Sequence, residues 1–130
     1  MTHLRISEAA ELLGVSDDTV RRWVADGRLA TGIDEGGRTT VEGAALAALM
    51  AEGAVEDPGG APTSARNRFP GIVTRVERDG VMALVEMQAG PHRIISLMSR
   101  EAADELGLKP GVRASATIKA TNVVIEGRET

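Results

Sequence analysis

Apolar and polar residues follow one period in the first part of this chain and another in the second. In ISEAAELLGV, apolar residues at 9, 10, 12 and 13 follow Ser7 and Glu8 and precede Gly14, which predicts a short helix with Ser7 as N-cap and a glycine stop. SDDTVRRWVADG repeats that grammar: Ser16 is the expected cap, Asp17 and Asp18 sit at the positive end of the helix dipole, Val20, Trp23 and Val24 share a face, and Gly27 ends the run. These segments predict two helices joined by a tight turn. RLATGIDEGGRTTV, with its Glu35-Gly36-Gly37 turn, then predicts a small wing, and TVEGAALAALMAEG a third helix capped by Thr40 and closed by Gly53.

After GAVEDPGGAPT, which lacks any period and is rich in Gly and Pro, the pattern becomes strand-like. FPGIVTRVER and VMALVEM flank Asp79-Gly80, a hairpin signal, and HRIISLM follows as a third strand. SREAADELG reads as a helix capped by Ser99 and stopped by Gly107. VRASATIK then places Val112, Ala114, Ala116 and Ile118 on one face and Arg113, Ser115, Thr117 and Lys119 on the other, and TNVVIEG is expected as a fifth strand. Five strands with a helix between the third and fourth is the order of an OB-like barrel. The expected fold class is therefore α+β in two domains: a winged helix-turn-helix over 1–52, a flexible linker over 53–63 and a five-stranded OB-like β-barrel over 64–130.

Composition narrows the chemistry. Only 2% of the 130 residues are aromatic, so the cores must be aliphatic and stacking platforms for bases are not expected. The chain has no cysteine, and its two histidines, His3 and His92, lie far apart, so neither disulfides nor a metal-cation site is expected. No apolar run approaches the roughly 20 residues that span a bilayer, and the first residues do not read as a leader, so a soluble, cytoplasmic protein is expected. The net charge of −4 is uneven: residues 1–52 carry 5 basic and 9 acidic side chains, and residues 64–130 carry 10 basic and 8 acidic. The second half suits an anion better than the first suits nucleic acid.

Residues 3–50 resemble the MerR and excisionase type of winged helix-turn-helix through A-x-x-L-G-V-S-x-x-T-V-R-R-W followed by D-G-R-L. The resemblance implies binding to double-stranded DNA, with Ser16, Thr19, Arg21 and Arg22 on or near the recognition helix and Arg38 on the adjacent backbone from the wing. Trp23, which shares a face with Val20, reads as a core anchor. The wing departs from the family in carrying Asp34 and Glu35 where further basic residues are usual, which weakens the expected phosphate grip.

Residues 64–127 resemble the Mop domain, the molybdate-binding unit of the TOBE group. Three separated motifs carry the resemblance: SARN with Gly71, RIISLMS before the helix, and KATNVVI at the end. Molybdate is a tetrahedral dianion whose oxygens only accept hydrogen bonds, so its site needs amides, hydroxyls and one or two cations, with no carboxylate facing it. The three motifs contain no acidic residue. The resemblance implies that Arg66 and Lys119 supply charge, that Ser64, Ser96, Ser99 and Thr121 supply hydroxyls, and that Ala65, Asn67 and Ala120 supply neighbouring backbone donors. Ile95 stands where some relatives have Thr. Bland readings stand beside these: Arg66 and Asn67 as caps of a strand, Ser99 equally as a helix N-cap, and Lys119 as a solvated strand end. The resemblance also implies sites between subunits and a homo-oligomer, with a hexamer built as a trimer of dimers favoured.

The expected function is that of a molybdate- or tungstate-binding transcriptional regulator without organic cofactor. The alternative is a molybdate storage protein whose acidic first domain contacts proteins. An enzyme is not expected: no nucleophile and base pair, metal-ligand cluster or Gly-rich nucleotide loop is evident.

Overall fold

The computed structural model describes residues 2–53 and 62–128. The chain divides into two compact units, one within residues 1–56 and one within 57–130. The expected linker over 53–63 falls largely outside the described residues.

The first unit runs β1 (His3–Arg5), α1 (Ile6–Leu13), α2 (Asp17–Ala25), β2 (Thr31–Ile33), β3 (Thr39–Glu42) and α3 (Gly43–Glu52). Its strands form an antiparallel sheet in the order β1-β3-β2. Strand β1 was absent from the sequence reading because three residues are too few to show a period. It also moves the helix cap. Arg5 is extended and pairs with Thr40, so α1 begins at once with Ile6 and Ser7 lies inside its first turn, not at the expected N-cap. The Arg5 amide instead donates to the Glu8 carboxylate at 3.1 Å. Thr40 is likewise not a cap. It is buried in the middle strand, its hydroxyl 3.4 Å from His3 Nδ1, and α3 starts after Glu42 without a side-chain cap. Two other signals appear as read: Ser16 Oγ accepts from the Thr19 amide at 3.2 Å, and Gly14 ends α1 in the left-handed conformation at φ 72°.

The core of this unit gathers Ala9, Ala10, Val20, Leu29, Val41 and Leu46, with Trp23 packed against it. The Arg28 guanidinium lies over the Trp23 ring, 4.8 Å from its centroid.

The second unit runs β4 (Asn67–Arg78), β5 (Met82–Ala89), β6 (His92–Ser99), α4 (Arg100–Glu105) and β7 (Arg113–Ile118). The strands form one curled antiparallel sheet in the order β6-β5-β4-β7. Long β4 serves two neighbours in turn: residues 67–72 pair with β7 and residues 72–78 with β5, with a bulge between Val73 and Arg75 that bends the strand. Gly71 sits at the changeover. A Cβ there would overlap the Gln88 carbonyl, so only glycine permits the approach. Asp79 closes the β4–β5 turn, accepting from the Val81 and Met82 amides at 2.7 Å each, and these bonds hold its carboxyl below the usual range.

The expected fifth strand is not formed. A 3₁₀ turn at Ala120–Asn122, closed by Asn122 N–H donating to the Lys119 carbonyl at 2.9 Å, turns the chain away from β7. Val124 and Ile125 beyond it are 89% and 85% exposed. The segment has strand-forming residues but pairs with no strand among the described residues, and pairing rather than propensity makes a strand.

Candidate functional site

The pairing of β4 with β7 bears on the residues expected to bind an oxyanion. Asn67 is opposite Ile118, and its side-chain amide donates to the Ile118 carbonyl at 3.0 Å. Ser64–Arg66 lead into β4 and Lys119–Thr121 lead out of β7, so the register brings the two motifs to the same end of this strand pair. Strand β4 begins only at Asn67, so Ser64, Ala65 and Arg66 belong to the lead-in. This lead-in has its own scaffold: the Ala65 amide donates to Thr63 Oγ1 at 3.1 Å, and Arg66 Nη1 to the Thr63 carbonyl at 3.2 Å. Arg66, Lys119, Ala120 and Thr121 are exposed, and neither segment contains a carboxylate.

The two serines of β6 are on a strand that pairs with neither β4 nor β7. Ser96 is opposite Val85, which is opposite Val76, near the far end of β4 from Asn67. It lines an apolar cavity with Val73, Val85 and Met98 on one side and Ala114, Ala116 and Ile118 of β7 on the other. Ser99 is opposite Met82, farther still, and its hydroxyl caps α4 by accepting from the Ala102 amide at 3.1 Å. Arg100 shares its cleft with Glu101, Asp104 and Glu105, so carboxylates outnumber the one cation there.

The sequence reading missed the polar centre of this sheet. Glu86 has a side chain only 12% exposed; it pairs with Arg93 of β6 and lies 3.7 Å from Arg75 of β4. The hydrogen bond from Arg93 is the main cause that holds its carboxyl below the usual range, with Arg75 adding to it against the cost of burial. Strand alternation gives no sign of such a pairing, since a single Glu in an apolar strand looks like an exposed position.

In the first unit, the residues expected on DNA divide into two groups. Ser16 and Thr19 are occupied with one another: their hydroxyl oxygens are 2.9 Å apart at the start of α2. Arg21, Arg22 and Arg38 are exposed, and Arg21 lies 3.6 Å from Asp18. Arg21 and Arg38 line one cleft, together with Arg5, Ser7, Asp17 and Thr39. Arg5 and Ser7 were not among the expected contacts. Asp34 is engaged in the β2–β3 turn, its Oδ1 accepting from the Gly36 and Arg38 amides at 2.9 Å each, so this acidic residue shapes the hairpin that carries Arg38.

Comparison with known proteins bears on both units. Residues 63–125 match the TOBE domain and residues 4–54 a helix-turn-helix domain. Over 63 residues, 48% of this chain and 93% of the relative, the sequence is 38% identical to molybdenum-pterin-binding protein 1 of Clostridium pasteurianum. The chain belongs to the TOBE-domain family. Its TOBE unit is also 38% identical over 64 residues to the molybdenum transport protein ModE of Herbaspirillum seropedicae, of which the match spans 24%. A molybdate-binding protein from Sporomusa ovata, 24% identical with a TM-score of 0.50, covers 52% of this chain and shares the fold of the curled sheet. This TOBE chain thus couples an OB-like sheet to a helix-turn-helix unit. Among its described residues no helix is long and apolar enough to cross a membrane.

Proposed function

We propose that this chain is a molybdate- and tungstate-binding regulator of transcription, in which oxyanion bound by the TOBE unit alters the binding of double-stranded DNA by the helix-turn-helix unit. The observation that supports this reading is the β4–β7 register, which pairs Asn67 with Ile118 and brings Ser64–Asn67 and Lys119–Thr121, two segments without a carboxylate, to the same end of that strand pair. Two cations, hydroxyls and strand-end amides suit a tetrahedral dianion whose four oxygens accept only. The family relationship supports the choice of ion. Arg66 and Lys119 neutralise charge, Ser64 and Thr121 donate from hydroxyls, and Ala65, Asn67 and Ala120 contribute backbone donors. Tungstate has the same charge and shape and binds in the same way.

Ser99 is engaged as the cap of α4 within one chain, and on this reading Ser96 and Ser99 reach the site from a second copy. An oligomer is also what the unpaired Val123–Ile125 segment and the open sheet edges call for. A hexamer arranged as a trimer of dimers places each site between subunits. On the DNA side, Ser16, Thr19, Arg21, Arg22 and Arg38 face the duplex. The ion alters DNA affinity by favouring one arrangement of the assembly over another.

The acidic balance of residues 1–52 favours a second reading, a storage protein whose first unit contacts proteins. Mobility shifts with the protein's own promoter region, at low salt and with or without molybdate, separate the two. A shift that depends on molybdate supports the regulator, and no shift at low salt supports storage.

A further inference from the structure

We infer that Arg5, Arg21 and Arg38 together form a seat for one phosphodiester of the DNA backbone. The inference rests on the reading of the first unit as DNA-binding and assigns a contact that its motif does not contain.

Three elements bring these arginines to one cleft: Arg5 ends β1, Arg21 lies on α2, and Arg38 leaves the turn before β3. The Arg5–Thr40 pairing fixes the first near the third, because Arg38 is two residues before Thr40 on the same strand approach. Residues 1–52 hold only 5 basic side chains against 9 acidic, yet three of the five line this cleft. Of the other two, Arg28 is stacked on Trp23, and Arg22 is exposed on α2. Successive helix positions are about 100° apart, so Arg22 turns away from the cleft that Arg21 lines.

The remaining lining selects the ligand. The Ser7 and Thr39 side chains add neutral donors, whereas Asp17 sets a negative charge against the incoming anion and Asp18 lies 3.6 Å from Arg21. A phosphodiester carries one negative charge and is delivered by a duplex held at further points. A free dianion meets the same carboxylates without that help, so the cleft favours backbone phosphate.

Fluorescence anisotropy of the full chain on a labelled promoter duplex and a scrambled duplex, over a salt series, tests the seat. Arg5→Ala and Arg38→Ala are each expected to weaken both duplexes by the same factor and to make the slope of log affinity against log salt shallower by about 0.9. Asp17→Asn is expected to tighten both, a gain that misfolding does not produce. Unchanged slopes in both arginine variants, with wild-type binding intact, overturn the seat and leave the DNA reading standing. If the wild type binds no duplex at low salt, both fall. Inorganic phosphate at fixed ionic strength is expected to displace DNA no better than chloride; phosphate-specific displacement that Arg5→Ala abolishes would reassign the cleft to a free anion and overturn the inference.

Discussion

In the first unit, six almost fully covered residues from three helices, the sheet and the α2–β2 connection meet in one core, with Trp23 and Leu49 packed at its margin. In the second, Val73, Val85 and Leu108 form the core cluster with Val76, Met98 and Ala114 packed against it, while Leu97 is 67% exposed and Val124 and Ile125 are more exposed still. Exposed apolar side chains on a sheet with open edges are the kind of surface that the proposed oligomer would cover. The first unit has a core of its own within one copy, and the proposed oligomer would cover the apolar surface that the second leaves open.

The largest effect expected from breaking this contrast concerns the ion. Replacing both Arg66 and Lys119 with Ala is expected to weaken molybdate binding by at least about 3 kcal/mol, read by calorimetry, since each charge-assisted bond is worth roughly 1.5–3 kcal/mol. Retained binding would sink the site assignment. Next, Leu46→Ala, in the closed core, is expected to cost the first unit about 2–5 kcal/mol in chemical denaturation and to leave molybdate binding intact. Gly71→Ala is expected to destabilise the second unit by roughly 1–3 kcal/mol, because the methyl group forces β4 away from the Gln88 carbonyl.

Smaller in stability, but sharper for the comparison, is the pair Val124→Asp and Ile125→Asp. Both positions are solvated within one chain, so the variant is expected to stay folded, with changes within about 0.5 kcal/mol, yet to lose mass in light scattering. An unchanged mass would contradict association through this segment. The smallest effect is that of pH. Glu86 has its pKa lowered in the fold by Arg93 and Arg75, so its contribution is fully present above the usual carboxylate range and is lost as pH falls through the lowered value. Glu86→Gln is expected to flatten the acid limb of the second unit's stability curve, and an unchanged limb would show that the ion pairs contribute nothing.

The grammar of local signals was legible in the chain: Ser16 and Ser99 as caps, Gly14 and Gly107 as stops, Asp79-Gly80 as a hairpin, and the helix between β6 and β7. Each depends on a few neighbouring residues. What escaped depends on distant ones. Ser7 and Thr40 carry cap chemistry, but the β1–β3 pairing shifted both helix starts away from them. TNVVIEG has strand composition, and no rule of composition says whether a partner strand lies in reach. The SARN and KAT segments read as parts of one site through the family resemblance, and that they flank the same end of the β4–β7 pair became visible only from the register. The Arg5 contribution to the cleft was hidden in the same way, behind a strand too short to announce itself.

The central claim is that oxyanion binding in the second unit changes DNA binding by the first. The most direct test is anisotropy of the full chain on its labelled promoter duplex, titrated with molybdate at constant ionic strength, with the Arg66→Ala, Lys119→Ala double variant alongside. A change in duplex affinity that saturates with molybdate in the wild type and vanishes in the variant is the expected result. Duplex affinity that is indifferent to saturating molybdate, confirmed as bound by calorimetry, would contradict the account.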